Sequence, residues 1–207
     1  MSKHTIIAAF DAVLLNDGFR RVGNTWNRNS GQVLDVINLQ KRSFDSMITV
    51  NAGVLHRVVH ERSWLEPVPP FVDEAMCTVR LRIGRLIDGL DHWFEINDPE
   101  TQNVLTTHLI HLVLPTLARH HSLEALEARL IAEGTRLGRY PPPHIYLAVI
   151  KSLLNRASEA QAILHNLLTD LHEPWRARVR AVQDALAAAR SNSQGASPSR
   201  GGHPAES

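Results

Sequence analysis

Polar side chains interrupt three apolar segments that have the character of β-strands. Gln40 ends the first segment, Thr49 and Asn51 lie in the second, and Arg80 and Arg82 alternate with apolar residues in the third. Side chains two apart on a strand point to the same face at a spacing of about 6–7 Å, so the two arginines form a pair. If the strand register brings the three segments together, these side chains form a polar surface on one sheet face.

Such a surface could clamp a carboxylate, a phosphate or an acidic side chain of a partner, because guanidinium forks match planar anions. The alternative interpretation is a solvated sheet face whose arginines cover the sheet edge. Trp93, in the segment HWFEI, is a candidate anchor beside it, since Trp and Arg carry much of the energy of protein interfaces. The predicted polar patch comprises Gln40, Thr49, Asn51, Arg80, Arg82 and Trp93.

The twelve histidines include three pairs that are close in sequence. These pairs are His56 and His60, His108 and His111, and His120 and His121. Spacings of three and four place two imidazoles on one face of a helix, as metal ligands require. However, there is no HExxH motif, and neither of the first two pairs encloses an Asp or Glu. We therefore predict no metal site and no other cofactor, and interpret the histidines as solvated or pH-sensitive groups.

Recognisable catalytic motifs are missing from the sequence. It contains no Gly-x-Ser-x-Gly elbow and neither of the glycine-rich phosphate loops, GxGxxG and GxxxxGK[ST]. Cys77 falls on the apolar side of the segment CTVRLRIG, which predicts a packed and inert thiol. No catalytic residue is predicted.

The order of elements indicates an α+β fold. Helical periodicity over residues 3–16 is followed by a series of strands, and residues 61–76, which contain EPVPPF, are expected to be an extended loop. The strands are expected at about 19–28, 32–40, 47–55 and 77–84, with a short fifth strand in HWFEI. Helices are expected at 98–120, with a bend near Pro115, and at 122–134, 143–156, 158–171 and 174–190. Segregated runs of this kind predict an N-terminal helix, an antiparallel sheet of about four to five strands and a C-terminal set of about five helices.

The predicted organisation has three parts. Residues 1–135 form the α+β domain, 136–190 form a helical extension packed on it, and 191–207 form a disordered tail rich in Ser, Gly and Pro. The prediction that the helices pack on the sheet follows from the apolar sheet residues, which need a cover.

Charge and composition restrict the classes of partner. The 22 basic and 21 acidic residues give a formal net charge of +1, which argues against a phosphate-backbone surface, so we predict no nucleic-acid partner. No segment approaches the roughly 20 apolar residues of a membrane helix, and no secretion signal is evident. With a single cysteine, these features predict a cytoplasmic protein without a membrane partner. No sequence feature predicts the oligomeric state.

Several short segments, taken in order, resemble a bacterial family of uncharacterised proteins known as domain of unknown function 4304. The segments are Gly18-Phe19, GNTW at 23–26, VINLQ at 36–40, ITVNAG at 48–53, CTVRLRIG at 77–84 and DHWFEI at 91–96. The resemblance covers about 1–135, with one departure, QKR where QKS is typical of the family. It implies no established activity, but similar small α+β proteins are often encoded near polymorphic toxins and serve as immunity proteins.

These observations favour a non-catalytic protein-binding module, and the resemblance implies an immunity protein that neutralises a bacterial toxin by occluding its active site. Two other hypotheses remain open at the level of sequence. The polar patch could serve a small-molecule or anion-binding regulator, or the chain could be an enzyme with an unrecognised His/Arg site.

Overall fold

The computed structural model describes residues 3–134, 140–169 and 171–195, and in the last range side chains up to residue 191. An N-terminal helix precedes the sheet, and most of the other helices follow it, so the predicted α+β class is confirmed. The helices are α1 (Lys3–Leu14), α2 (Arg57–Trp64), α3 (Ile83–Ile87), α4 (Thr101–His108), α5 (Leu114–Arg119), α6 (Leu123–Glu133), α7 (Pro141–Leu153), α8 (Ala157–Leu168) and α9 (Trp175–Gly195). The strands are β1 (Arg20–Val22), β2 (Thr25–Ser30), β3 (Val33–Lys41), β4 (Met47–His56), β5 (Val79–Arg82) and β6 (Phe94–Glu95).

The strands form an antiparallel sheet in the order β1-β2-β3-β4-β5, and β6 pairs with the first residues of β4. The central hairpin, β3 and β4, is in register from Val33 opposite His56 to Lys41 opposite Ile48. Because the side-chain period of a strand is two, this register fixes which residues share each face along the whole hairpin.

One sheet face carries the main hydrophobic core. Ile37, Leu39, Val50 and Ala52 are buried there together with residues from α1, from the helices at 101–133 and from α7 to α9. The core is therefore continuous between the sheet and the helices from residue 141 onward. Burial of this apolar area is the main favourable contribution to folding.

The other sheet face is half apolar and half polar. Leu34, Val36 and Leu55 pack against Val72 and Cys77, which belong to the chain between α2 and β5. The side chain of Asn27 fixes this segment by accepting a hydrogen bond from the Val72 backbone N–H (2.7 Å) and donating to its carbonyl (3.0 Å). The polar half of this face, next to the apolar cluster, carries the predicted polar patch.

Cys77 is buried, as expected, but it does not share a face with Val79. It lies before the start of β5 and packs on the opposite side of the sheet, against Gly53. An ideal Cβ at Gly53 would lie 2.7 Å from the Cβ and Sγ atoms of Cys77, so only glycine leaves room for this approach. Burial raises the pKa of the Cys77 thiol well above its ordinary value, which is consistent with an inert group.

Two further expectations about the N-terminal half are wrong. The single strand predicted at 19–28 is a tight hairpin, in which Gly23 has a φ of 60° and joins β1 to β2. Residues 61–64, predicted as part of a loop, belong to helix α2, which ends at Leu65 with a left-handed backbone (φ 57°) before the prolines begin. Only three residues of α2 are buried, and the sequence shows only a weak helical pattern there. The helix is stabilised by its packing on α7 and α9.

The long helix predicted at 98–120 spans α4 and α5, joined by a π-helical segment at Leu109–Val113 just before Pro115. Proline has no N–H to donate, and the wider turn accommodates this interruption. The helix begins at Thr101 rather than directly after Asp98, whose side chain accepts the Glu100 backbone N–H (2.9 Å). Ser122 caps α6 as predicted, by accepting the Ala125 N–H (3.1 Å).

Acidic and basic side chains meet at the junction of α6, α7 and α8. Lys151 donates to Glu127 (2.9 Å) and also contacts Glu159, while Arg156 binds the other oxygen of Glu127. We refer to these four residues as the buried charge cluster. Glu127 and Lys151 are both buried, and the cluster fixes α7 relative to α6.

The last helix, α9, extends to Gly195 and so includes the first five residues (191–195) of the predicted tail. The rest of that segment lies outside the described residues. Among the helices that the structure describes, none has both the length and the hydropathy needed to cross a membrane.

Candidate functional site

Sheet register brings most of the predicted polar patch together. Asn51 of β4 lies opposite Arg82 of β5, and Gln40 of β3 lies opposite Thr49 of β4. All four side chains lie on the sheet face opposite the main hydrophobic core. The patch therefore lies next to the apolar cluster around Cys77, and Arg129 and Glu133 of α6 border it on the β5 side.

Arg82 is the centre of the patch. Its Nε donates to the Oδ1 of Asn51 (3.0 Å), and its Nη2 donates to the Oε1 of Gln40 (3.2 Å). Its Nη1 donates to both carboxylate oxygens of Asp91 (2.9 and 3.0 Å). The Nδ2 of Asn51 closes the network on Gln40 (2.8 Å). The network explains the amides in the strands, because they fix the guanidinium group in one orientation.

Trp93 extends the patch towards the tip of the β3–β4 hairpin. The guanidinium carbon of Arg42 lies 4.2 Å from the centre of the Trp93 ring and 5.6 Å from that of Phe44. Arg82 approaches the same indole at 5.5 Å. Phe44 is 81% exposed, which is unusual for a large apolar side chain. We define the hairpin tip as Arg42, Phe44 and Trp93; its two aromatic rings flank one cation.

Two residues of the predicted patch have other roles. Arg80 lies on the same face of β5 as Arg82, but its fork binds Glu74 through Nε (2.6 Å) and Nη2 (3.1 Å). Thr49 is completely buried, and among the residues that the structure describes its hydroxyl has no hydrogen-bond partner. Thr49 therefore lies beneath the patch rather than on its surface.

Each of the two arginines of the patch forms an ion pair with a carboxylate, Arg80 with Glu74 and Arg82 with Asp91. Hydrogen bonding from Arg82 lowers the pKa of Asp91, and hydrogen bonding to Glu74 raises the pKa of Arg80. The Asp91 carboxylate is therefore ionised at neutral pH, and Asp91 and Glu74 occupy the guanidinium groups of Arg82 and Arg80. A free carboxylate or phosphate would have to displace one of them, which makes the patch a poor clamp for small anions.

In two of the predicted histidine pairs, the two members have different neighbours in the structure. His121 contacts the fully buried Asp35 (2.9 Å), and His120 contacts the Thr116 carbonyl (2.7 Å). His56 ends β4, whereas His60 lies in α2. Within the described part of the chain, no three His, Cys, Asp or Glu side chains are close enough to hold a metal ion.

Sequence reasoning missed Arg42, Phe44 and Asp91 as parts of this surface. The two hairpin residues lie in a short polar connection, and their sequence pattern does not indicate that they approach the segment around Trp93. In the structure these segments meet because β6 pairs with β4 at Met47 and Ile48, directly after the hairpin connection. The sequence does not predict this pairing, because β6 is only two residues long.

Comparison with known families identifies the α+β part of the chain. The family described as Domain of unknown function (DUF4304) matches residues 10–118, just over half of the chain. The chain belongs to the DUF4304 family. A search of curated proteins and a search of solved structures each gave no match.

The DUF4304 match begins within α1 and ends within α5, so it includes the whole sheet and every residue of the polar patch and the hairpin tip. The helices α6 to α9 lie beyond the matched region. The surface described above is therefore a feature of the DUF4304 part of the chain.

Proposed function

We propose that this DUF4304 protein is a non-catalytic binding module of the bacterial cytoplasm that uses the polar patch and the hairpin tip to cover a surface of a partner protein. The observation that carries the proposal is Phe44, a highly exposed aromatic ring beside a cation that also lies over Trp93. Trp and Arg are enriched among the residues that dominate binding energy in protein interfaces.

The network around Arg82 supports the same proposal. Its hydrogen bonds to Asn51 and Gln40 hold the guanidinium in place before a partner arrives, so little side-chain freedom is lost on binding. Its charge is compensated by Asp91, which favours a partner that offers an apolar pocket with hydrogen-bonding groups at its rim over a strongly acidic one.

The more specific form of the proposal is an immunity protein, in which the covered surface is the active site of a toxin. It rests on the family resemblance and on the absence of a recognisable catalytic motif from the sequence. Occlusion needs a rigid surface rather than reactive groups, and an antiparallel sheet with hydrogen-bonded side chains provides one.

The test is affinity capture from lysate of the native cells, followed by measurement of the dissociation constant with the purified partner. The double variant Phe44→Ala, Trp93→Ala should raise the dissociation constant at least about 30-fold, since one dominant interface residue contributes about 2 kcal/mol. The matched control is Leu15→Ala, an exposed apolar residue directly after α1, which packs on the opposite face of the sheet, and it should change the constant less than about threefold.

Capture of the same partner by the wild type and the double variant with equal affinity would refute this choice of surface. For the immunity form, the captured partner is expressed in a host cell with each variant. Growth should be restored by the wild type and by Leu15→Ala but not by the double variant. A partner that does not inhibit growth would refute the toxin form and leave the binding surface intact.

A further inference from the structure

A cavity of about 390 Å³ adjoins β5, and Arg80 of the predicted patch is one of its lining residues. It is bordered by α2, by the chain from Ala75 to Arg80, by the end of α6 and by the start of α7. Its volume is in the range of sites that bind small molecules, and its walls are mainly apolar. We refer to it as the aromatic pocket, because Trp64, Tyr140 and Tyr146 form much of its lining.

His60 lines the aromatic pocket and is only 2% exposed. Neither of its ring nitrogens has a hydrogen-bond partner in the part of the chain that the structure describes. Burial lowers the pKa of His60, against the opposing effect of the Glu66 carboxylate, so the imidazole is neutral at physiological pH. A neutral imidazole has one donor and one acceptor, and buried polar atoms without partners are rare and call for an explanation.

The aromatic walls are already fixed. Trp64 donates its indole N–H to the Tyr146 hydroxyl (2.9 Å), and the two rings meet edge to face at 6.3 Å. Trp175 packs against the Trp64 ring at 6.1 Å and against the Tyr140 ring at 6.5 Å. These contacts hold the rings in place, so the pocket exists without a ligand to organise it.

The charged groups at the pocket favour a positive or neutral ligand over an anion. Arg80 is bound by Glu74, and Glu133 is bound by Arg129, so these charges are compensated. Glu66 lines the pocket, is exposed, and forms no ion pair with any residue in the described ranges. Within the described residues it is an unpaired carboxylate beside three aromatic rings, an arrangement that attracts organic cations.

We propose that the aromatic pocket binds a small, flat aromatic molecule that is neutral or carries an amine, with His60 as its hydrogen-bonding partner and Glu66 as the counter-charge for the amine. The ring of such a molecule would stack against Trp64 and Tyr146. Its N–H or O–H group would supply the partner that the His60 ring lacks. This inference is independent of the protein-binding surface, because Phe44 and Trp93 are not part of the pocket lining.

The probes are three indoles that differ mainly in charge: indole, tryptamine and indole-3-acetate. Binding is measured by isothermal titration calorimetry and by ligand-observed nuclear magnetic resonance, at concentrations up to about 1 mM. Indole and tryptamine should bind, and tryptamine should bind about tenfold more tightly than indole-3-acetate. If neither indole nor tryptamine binds to the folded protein, or if the acetate binds most tightly, the proposal is wrong.

Two variants assign the roles of the residues. His60→Leu removes both nitrogens at similar volume and should weaken indole and tryptamine about tenfold each, without lowering the melting temperature. Glu66→Gln is an exposed change that preserves the fold; it should weaken tryptamine about threefold and leave indole binding within about twofold. Unchanged affinity of both probes in His60→Leu would overturn the role of His60, and an equal loss of both probes in Glu66→Gln would overturn the counter-charge.

Trp93→Ala serves as the control for specificity, and it should leave the binding of all three probes unchanged. Failure of the protein-binding proposal would appear as unchanged partner affinity in the Phe44 and Trp93 variants. Failure of the ligand proposal would appear only with the indole probes. The two outcomes can therefore be told apart with one set of purified proteins.

Discussion

Replacing Arg82 with methionine tests whether the polar patch is held by its internal hydrogen bonds. Methionine keeps an unbranched apolar side chain but removes the guanidinium fork that joins Asn51, Gln40 and Asp91. The three lost contacts differ in burial, so their contributions to the free energy of unfolding also differ.

The magnitude follows from that difference. Asn51 is only 6% exposed, and its Oδ1 would lose the Arg82 donor, which costs about 1–3 kcal/mol for a buried acceptor. The ion pair with Asp91 is partly solvated, and such pairs contribute about 0–1 kcal/mol. Gln40 is exposed and can bind water instead. We expect Arg82→Met to lower the free energy of unfolding by about 2 kcal/mol, or the melting temperature by about 4–8 °C.

The assay is equilibrium unfolding in urea, followed by circular dichroism and by tryptophan fluorescence. Asp91→Asn removes the charge of the partner but leaves the bond from Arg82 to Asn51, so it should cost less than about 1 kcal/mol. Arg85→Met is the matched control: this arginine is exposed and contacts only the Gly89 carbonyl (3.3 Å) among its hydrogen bonds in the described residues. It should stay within about 0.5 kcal/mol of the wild type.

The reasoning fails if Arg82→Met costs no more than Arg85→Met. It also fails if Asp91→Asn costs as much as Arg82→Met, because the ion pair and not the buried amide would then be the dominant contact. The first result would mean that the hydrogen bonds of Arg82 do not hold the patch together. The second would mean that its orientation depends on Asp91 rather than on Asn51.

Three further predictions concern the surrounding structure. Gly53→Ala should lower the free energy of unfolding by about 1–3 kcal/mol, because the new Cβ would overlap Cys77, and a loss below about 0.5 kcal/mol in urea unfolding would contradict the tight approach. Glu127→Gln should cost about 3 kcal/mol at pH 7, because it leaves the buried charge cluster partly unpaired. The hydrogen bond from Arg156 is the main cause of the lowered pKa of Glu127. The stabilisation by this carboxylate is therefore present above its unfolded-state pKa of about 4.3 and is lost as the pH falls through its folded-state pKa. Over that acidic range, urea titrations should show a shrinking difference in the free energy of unfolding between the wild type and Glu127→Gln. Burial raises the pKa of Tyr146 to about 12, so a phenolate absorbance step near that pH should be present in the wild type and missing in Tyr146→Phe.

Much of the fold follows from local pattern, and the exceptions share one cause. The alternation in β5 and the apolar hairpin of β3 and β4 are strong signals, and all three strands occur as predicted to within two residues at their ends. The β1–β2 hairpin was predicted as one strand because each of its strands is short. Helix α2 was missed because few of its residues are apolar, and its burial against α7 and α9 is a tertiary effect.

The sequence by itself determined the α+β class, the membership of DUF4304 and the alternation that puts Arg80 and Arg82 on one face of β5, because strand periodicity and capping residues act over a few neighbouring positions. Only the tertiary structure decided which partner each arginine has and that Phe44 lies exposed beside Arg42. It also decided that His60 lines a cavity and has no hydrogen-bond partner among the described residues. The contacts of Arg82 and the cavity around His60 depend on chain segments that are far apart in sequence and meet only in the folded chain. A one-residue change in register would move every side chain of a strand to the other face, which is why contacts across the sheet cannot be read from local pattern.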